Sequence, residues 1–228
     1  MPPASALVAF DTSGAQGSVA VGRGPKVLAR VVIQERLEQA ARLVPALDEA
    51  LETAGVALGE LGGVVVGEGP GSFTGVRVAA ATAKGLAHAL GLPLRAISSL
   101  AAAALAHEVG PVRYALFDAR GDRVYGACYG VGHVAVQCLV APHGGTLRDA
   151  LAGDVPGGAV FVGEAARRHR AAIEGAGFAV GPDEGGVTLA EGLLRYLTLH
   201  PDLPPVPDPA AWEPTYVRAS SAVLPWTG

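Results

Sequence analysis

The sequence is poor in cysteine, aromatic residues and lysine. Its 228 residues include two cysteines and 5% aromatic residues, and Lys26 and Lys84 are its only lysines. Cys128 and Cys138 belong to no CxxC pair, so the sequence predicts two buried or half-buried thiols in a reducing compartment rather than a disulfide. The formal net charge of −4 argues against a large surface for nucleic-acid phosphates.

Long apolar runs and clustered metal ligands are also missing. No stretch of about 18–20 apolar residues is free of Gly, Pro or charge, so we expect no membrane span. The first residues lack the basic segment of a signal peptide, which predicts a cytoplasmic location. The six histidines are scattered without the spacing of a zinc or metallopeptidase site, and no Gly-x-Ser-x-Gly elbow is present. The sequence therefore predicts no catalytic residue and no metal ligand.

The second half of the chain repeats the pattern of the first. A strand ending in Phe10-Asp11, a tight turn and a returning strand recur at Phe117-Asp118. The Val-Gly-Glu at 66–68 recurs at 162–164. Two matches in the same order indicate duplication of a βββαβα unit. They predict an α/β fold of two lobes, each a mixed sheet flanked by helices, which resembles the actin-like ATPase architecture. The predicted lobes are residues 1–108 and 109–228.

Two helices of the first half are candidates for a protein interface. Apolar residues at three- and four-residue steps predict a helix over 36–54, which Pro45 should bend or interrupt. A second helix over about 75–90 is rich in Ala and Gly, whose small side chains allow close helix packing. Periodicity supports equally an interface and simple coverage of the sheet. The interface hypothesis rests on Leu43, Leu47, Val76, Ala80, Ala83 and Ala87.

The segment GEGPGSFTGV, residues 67–76, raises the question of phosphate binding. It lacks the lysine of a Walker A loop, since the nearest, Lys84, lies inside the following helix, and it lacks the Rossmann glycine spacing. Two interpretations remain. The amides of residues 72–74 bind an anion at a helix N-terminus, or the glycines form a tight turn that Ser72 or Thr74 caps.

The turn that follows the first strand is a second candidate for phosphate contact. Asp11, Thr12 and Ser13 fit a phosphate-clasping turn of actin-like ATPases, and together they form the candidate nucleotide site. The corresponding turn at 118–123 carries long charged side chains instead of hydroxyls, so this site is predicted to be degenerate. Asp11 is a magnesium ligand in one interpretation and a turn-forming residue in the other.

Five segments together resemble the bacterial TsaB (YeaZ) family. They are the DTS at 11–13, the LVP at 43–45, the glycine loop, the DARGDRVY at 118–125 and the EPTYVR at 213–218. The glycine loop is the most specific of them. As the family's signature it comprises Gly69, Pro70, Gly71, Ser72, Phe73, Thr74 and Gly75.

The resemblance implies an actin-like fold and a supporting role in making N6-threonylcarbamoyladenosine in tRNA. Family members are non-catalytic partners of the TsaD subunit, work with the TsaE ATPase, and form homodimers when alone. No cofactor is then required by this chain, ATP and Mg²⁺ act at the level of the complex, and tRNA is met only through it. Many relatives carry a His-Ser pair where this chain has Gln39-Ala40, which weakens any metal or acid–base role there. The alternatives are a weak ATPase in its own right, a metallopeptidase, and a protein that binds tRNA directly.

Overall fold

The chain is built from two units of strands and helices that follow one another in sequence. The computed structural model describes residues 5–182 and 187–217. The first unit consists of β1 (Ala6–Asp11), β2 (Gly17–Arg23), β3 (Lys26–Ile33), α1 (Gln39–Ala54), β4 (Leu61–Gly67), α2 (Phe73–Leu90), β5 (Leu94–Ile97) and α3 (Ser99–Leu105). The second consists of β6 (Val112–Asp118), β7 (Arg123–Val131), β8 (Val136–Thr146), α4 (Leu147–Ala152), β9 (Val160–Val162), α5 (Glu164–Arg168), α6 (Arg170–Gly175), β10 (Ala179–Val180) and α7 (Leu189–Leu199).

Each unit forms one five-stranded sheet, and the two sheets have the same topology. The first has the order β3-β2-β1-β4-β5, and the second, written in the same direction, β8-β7-β6-β9-β10. In each, the first three strands pair antiparallel and the last two add in parallel. The duplication and the actin-like α/β fold predicted from the sequence are therefore confirmed.

The helices and sheets stack in five layers. Helices α1 and α2 cover the outer face of the first sheet, and α4, α5 and α6 cover the outer face of the second. Between the sheets lie α3 and α7, which pack against each other. Helix α7 covers the inner face of the first sheet, and α3 covers that of the second. The packing of these two helices crosses the proposed division at residue 108.

Local sequence signals explain several helix ends. The α1 and α2 helices stop at Gly55 and Gly91, which adopt φ of 61° and 63°, the left-handed conformation that glycine takes without strain. The Thr146 and Thr188 side chains cap α4 and α7, each with an acidic residue three positions later that completes a capping box. Pro45 lies inside α1 without ending it, so the predicted interruption is wrong.

The prediction for the two cysteines needs one correction. Cys128 is buried as expected, whereas Cys138 is exposed because its strand lies at the edge of the sheet, and both are free thiols.

The segment after α7 returns to the first sheet. The amide of Val206 donates to the carbonyl of Leu94 (2.7 Å), and the amide of Thr215 donates to the carbonyl of Glu68 (2.9 Å). Trp212 packs against the core under α1 and α2. Arg218 of the EPTYVR motif lies outside the described residues. No helix among residues 5–182 and 187–217 is long and apolar enough to cross a membrane.

Candidate functional site

The glycine loop between β4 and α2 lies directly on the turn between β1 and β2. The amide of Ser72 donates to the carbonyl of Ser13 (2.7 Å), and the Thr12 hydroxyl donates to the carbonyl of Gly75 (2.6 Å). A Cβ added at Gly71 would lie 2.5 Å from the carbonyl oxygen of Ser13, and one at Gly75 would overlap the carbonyl oxygen of Thr12. The glycines are therefore required for close approach of two backbone segments.

The same contacts bear on the two interpretations of this loop. The amide of Ser72, a candidate phosphate donor, already has a protein acceptor. The hydroxyl of Ser72 accepts a hydrogen bond from the amide of Gly75 (3.4 Å) as the N-cap of α2. The structure thus shows the capped turn that the second interpretation predicts.

Asp11 is fully buried at the centre of this contact. Its Oδ1 accepts hydrogen bonds from the amide (2.7 Å) and hydroxyl (2.6 Å) of Ser13, and its Oδ2 accepts one from the hydroxyl of Ser99 (2.6 Å). Burial raises the pKa of Asp11, and the donors from Ser13 and Ser99 oppose that rise. Bonding of Oδ1 to the amide two residues on is the turn-forming arrangement. Nucleotide binding by Asp11, Thr12 and Ser13 stays a prediction, and all three side chains are hydrogen-bonded inside the chain.

Ser99 joins Asp11 to the glycine loop. Its hydroxyl donates to Asp11 and accepts from the buried amide of Gly69 (3.1 Å). We expect Ser99→Ala to lower the free energy of unfolding by about 2–3 kcal/mol, because two buried polar groups lose their partner. The neighbouring Ser98→Ala removes one hydrogen bond to the Tyr129 hydroxyl (3.2 Å) from a half-buried side chain, at an expected cost of about 1 kcal/mol. Urea unfolding of both variants measures the difference, and equal losses would contradict the assigned role of Ser99.

Glu164 bridges the corresponding turns of the two halves. Its Oε2 accepts a hydrogen bond from the amide of Ala15 (2.6 Å), beside the first turn, and its Oε1 accepts one from the amide of Asp118 (3.3 Å), at the second. The carboxyl of Asp118 pairs with Arg168. A carboxylate of the protein therefore occupies the space between the turns that the candidate nucleotide site would use for phosphate.

A cleft of about 330 Å³ opens next to this bridge, between the two halves. Its polar lining includes Gln16 of the turn between β1 and β2, Arg30 of β3 and Thr188, the N-cap of α7. His107 and Arg167 also line it. No group of three or more His, Cys, Asp or Glu residues within the described ranges is placed to hold a metal ion.

The outer surface of α1 and α2 carries exposed apolar side chains. Val44 on α1 is 55% exposed and Phe73 at the start of α2 is 58% exposed. Arg77 stacks on Phe73, with its guanidinium carbon 3.9 Å from the ring centroid, and its Nε donates to the Tyr216 hydroxyl (3.1 Å). Tyr216 from the returning segment thereby completes this surface. We call Val44, Pro45, Phe73, Arg77 and Tyr216 the α1–α2 face.

The six residues predicted to form the interface lie elsewhere on the same helices. All are buried in this chain, with exposures of 5% or less, because the apolar period of a helix marks the side that packs on its own sheet. Their side chains are therefore not at the surface where a partner would bind. They are Leu43, Leu47, Val76, Ala80, Ala83 and Ala87.

Gln39 is the first residue of α1, where the resemblance implied a histidine in many family members. It is buried, and with its amide oriented to satisfy both atoms, the nitrogen donates to the carbonyl of Thr12 and the oxygen accepts from the amide of Gly17, each at 3.0 Å. The side chain thus ties the start of α1 to the first turn. The contacts give Gln39 a structural role.

Comparison with known proteins supports the family resemblance that the sequence motifs indicated. The sequence model of the family described as "TsaD: tRNA N6-adenosine threonylcarbamoyltransferase" matches residues 27–174, more than half of the chain. The chain belongs to this family. Curated relatives named tRNA threonylcarbamoyladenosine biosynthesis protein TsaB include that of Haemophilus influenzae (41% identity; 52% of this chain and 51% of the relative) and that of Escherichia coli K12 (36% identity; 54% of each). The match to these curated TsaB relatives spans about half of their length.

A solved structure extends the likeness over nearly the whole chain. The protein described as YeaZ from Pseudomonas aeruginosa matches with a TM-score of 0.74 and 27% identity, covering 93% of this chain and all of that one. Together with the curated relatives it confirms the resemblance to the TsaB (YeaZ) family and the two-lobed fold.

Several residues of this site were not predicted from the sequence. Ser99 is not singled out by any sequence motif, and Glu164 enters the sequence analysis only as part of the repeat. The internal repeat carried a usable signal for Glu164, since it marks the strand-to-helix junction next to the two turns. Phe73 was assigned to the signature loop but not to a surface, because exposure of a single aromatic residue leaves no sequence pattern.

Proposed function

We propose that this chain is the non-catalytic TsaB-type subunit in the formation of N6-threonylcarbamoyladenosine in tRNA, and that it binds a TsaD-type catalytic subunit through the α1–α2 face. Family membership and the names of the TsaB relatives support the pathway. The observations that carry the docking proposal are the exposed Phe73–Arg77–Tyr216 stack and the exposed Val44, both on the outer helical layer of the first lobe.

The composition of the face favours a protein partner. The centres of protein interfaces are enriched in aromatic residues and arginine, and a few such residues provide most of the binding energy. Phe73 and Tyr216, with ring centroids 5.7 Å apart, hold the Arg77 side chain in one position. A preordered side chain loses less conformational entropy on binding.

The buried turn favours a non-catalytic role over the alternative of an independent ATPase. The Asp11 carboxylate accepts hydrogen bonds from Ser13 and Ser99, and the Glu164 carboxylate accepts hydrogen bonds from an amide at each turn. A nucleoside triphosphate would have to displace these internal hydrogen bonds. Accordingly this chain requires no cofactor of its own, and ATP and Mg²⁺ act within the complex.

The remaining parts of the proposal concern assembly. In the absence of TsaD the α1–α2 face pairs with a second copy of this chain, because the pairing removes the same apolar side chains from water. A TsaE-type ATPase joins the complex, tRNA is met only through it, and the complex works in the cytoplasm. The net charge of −4 supports an indirect contact with tRNA.

Reconstitution of tRNA modification tests the proposal. The cognate TsaD- and TsaE-type proteins, tRNA, ATP and the threonylcarbamoyl donor system are combined with this chain or without it, and the modified adenosine is quantified by mass spectrometry. We expect formation only when the chain is included. Equal formation without it would overturn the proposal, and ATP hydrolysis by the purified chain alone would favour the enzyme alternative.

A further inference from the structure

The cleft between the two halves has the size and lining of a small-molecule site. Its volume of about 330 Å³ is at the lower end of the range for ligand pockets. Its lining combines apolar side chains, Phe117, Ala103 and Ala106, with polar ones such as Gln16 and Thr188. This mixture suits a ligand with both an apolar and a charged part.

Arg167 supplies a cation to this cleft. It lines the cleft from α5, and no hydrogen bond or ion pair joins its guanidinium to any residue that the structure describes, whereas the adjacent Arg168 pairs with Asp118. A guanidinium binds carboxylate or phosphate through two parallel hydrogen bonds. Arg167 is therefore positioned to hold an anionic group.

His107 also lines the cleft and contains an unsatisfied polar atom. It is only 7% exposed, and its buried Nδ1 has no hydrogen-bond partner within the described residues. Buried polar atoms of native proteins are normally paired. Burial, followed by the charges of Arg167 and Arg113, lowers the pKa of His107. An anion on Arg167 would reduce that repulsion and raise the pKa again.

Glu164 limits the size of the anionic group. Both of its oxygens are engaged by the amides of Ala15 and Asp118, so a polyphosphate chain finds these turn amides already occupied. A single carboxylate or phosphate group at Arg167 needs neither amide. The cleft is thus suited to a compact anion and not to a nucleoside triphosphate.

We propose that the cleft binds a small organic anion, whose single carboxylate or phosphate group pairs with Arg167 and whose apolar part lies against Phe117. This site is separate from the α1–α2 face on the opposite side of the first sheet, so the proposal stands or falls independently of partner binding.

Isothermal titration of the purified chain with three probes tests the site. Benzoate and adenosine monophosphate each carry one anionic group and a flat ring, and inorganic phosphate carries the anion alone. We expect at least one of the ring-bearing anions to bind about tenfold or more tightly than phosphate, since the ring adds apolar burial.

A pair of arginine variants supplies the matched control. Arg167→Gln should weaken binding about tenfold or more, whereas Arg148→Gln, on the exposed surface of α4, should leave it unchanged. In the wild type, ring signals of His107 should titrate at higher pH when the anion is bound. The proposal is overturned if neither ring-bearing anion binds, if phosphate alone binds equally well, meaning an adventitious ion only, or if both variants lose affinity alike.

Discussion

Replacing Gly75 by Ala is expected to lower the free energy of unfolding by about 3 kcal/mol, the upper end of the usual cost of overpacking. Gly75 lies in the first turn of α2, where alanine would ordinarily improve the helix. Here a Cβ would overlap the carbonyl oxygen of Thr12, a backbone atom that cannot rotate away. The substitution would also separate the Thr12 hydroxyl from the carbonyl of Gly75.

Gly85→Ala in the same helix is the matched control. A Cβ at Gly85 meets nothing within 4 Å, so the change should stabilise the chain by about 0.5–1 kcal/mol. Urea unfolding followed by circular dichroism measures both variants. If Gly75→Ala were as stable as the wild type, the glycine loop would not need its close approach to the first turn.

Replacing Val44 by Glu is expected to weaken binding to the TsaD-type subunit about 30- to 100-fold, which corresponds to about 2–3 kcal/mol. Val44 is exposed on α1, and a buried carboxylate without a partner at the centre of an interface is costly. Because the side chain is not part of the core, folding should be unaffected. Analytical ultracentrifugation of the mixture measures the affinity, and thermal unfolding checks the fold.

Val134→Glu provides the same chemical change on the second lobe. Val134 is 84% exposed in the loop between β7 and β8, away from α1 and α2. We expect this variant to bind normally. Loss of binding in both variants would point to an unspecific effect of charge, and normal binding of Val44→Glu would place the interface elsewhere. Homodimer formation, measured with the chain alone, should follow the same order.

The repeat in the sequence was sufficient to predict the architecture. Phe10-Asp11 and Phe117-Asp118 end the central strands β1 and β6, and the Val-Gly-Glu matches end β4 and β9. The apolar periodicity and the positions of the glycines are determined by local structure, so they can be recognised in a single sequence. The absence of catalytic motifs likewise gave the expectation of a non-catalytic protein, which remains a proposal.

The sides of the helices were harder to predict. Periodicity identifies an apolar stripe but does not distinguish the stripe that meets a partner from the stripe that meets the chain's own sheet. Leu43 and Val44 are neighbours in sequence, yet one is buried and the other exposed. The bridge made by Glu164 depends on residues far apart in the chain, and no local pattern reveals a contact of that kind.

Helix α7 of the second half covers the first sheet, and helix α3 of the first half covers the second sheet. This exchange couples the folding of the two halves during synthesis. The inner face of the first sheet, with Ala9, Ala20 and Val65, is covered by Leu193 and Leu197 of α7. A nascent chain that has completed all five strands of this sheet therefore still exposes an apolar surface, and it does so until the second half has left the ribosome. The duplicated unit has in this way lost its independence, since neither copy can complete its own core before the other is made.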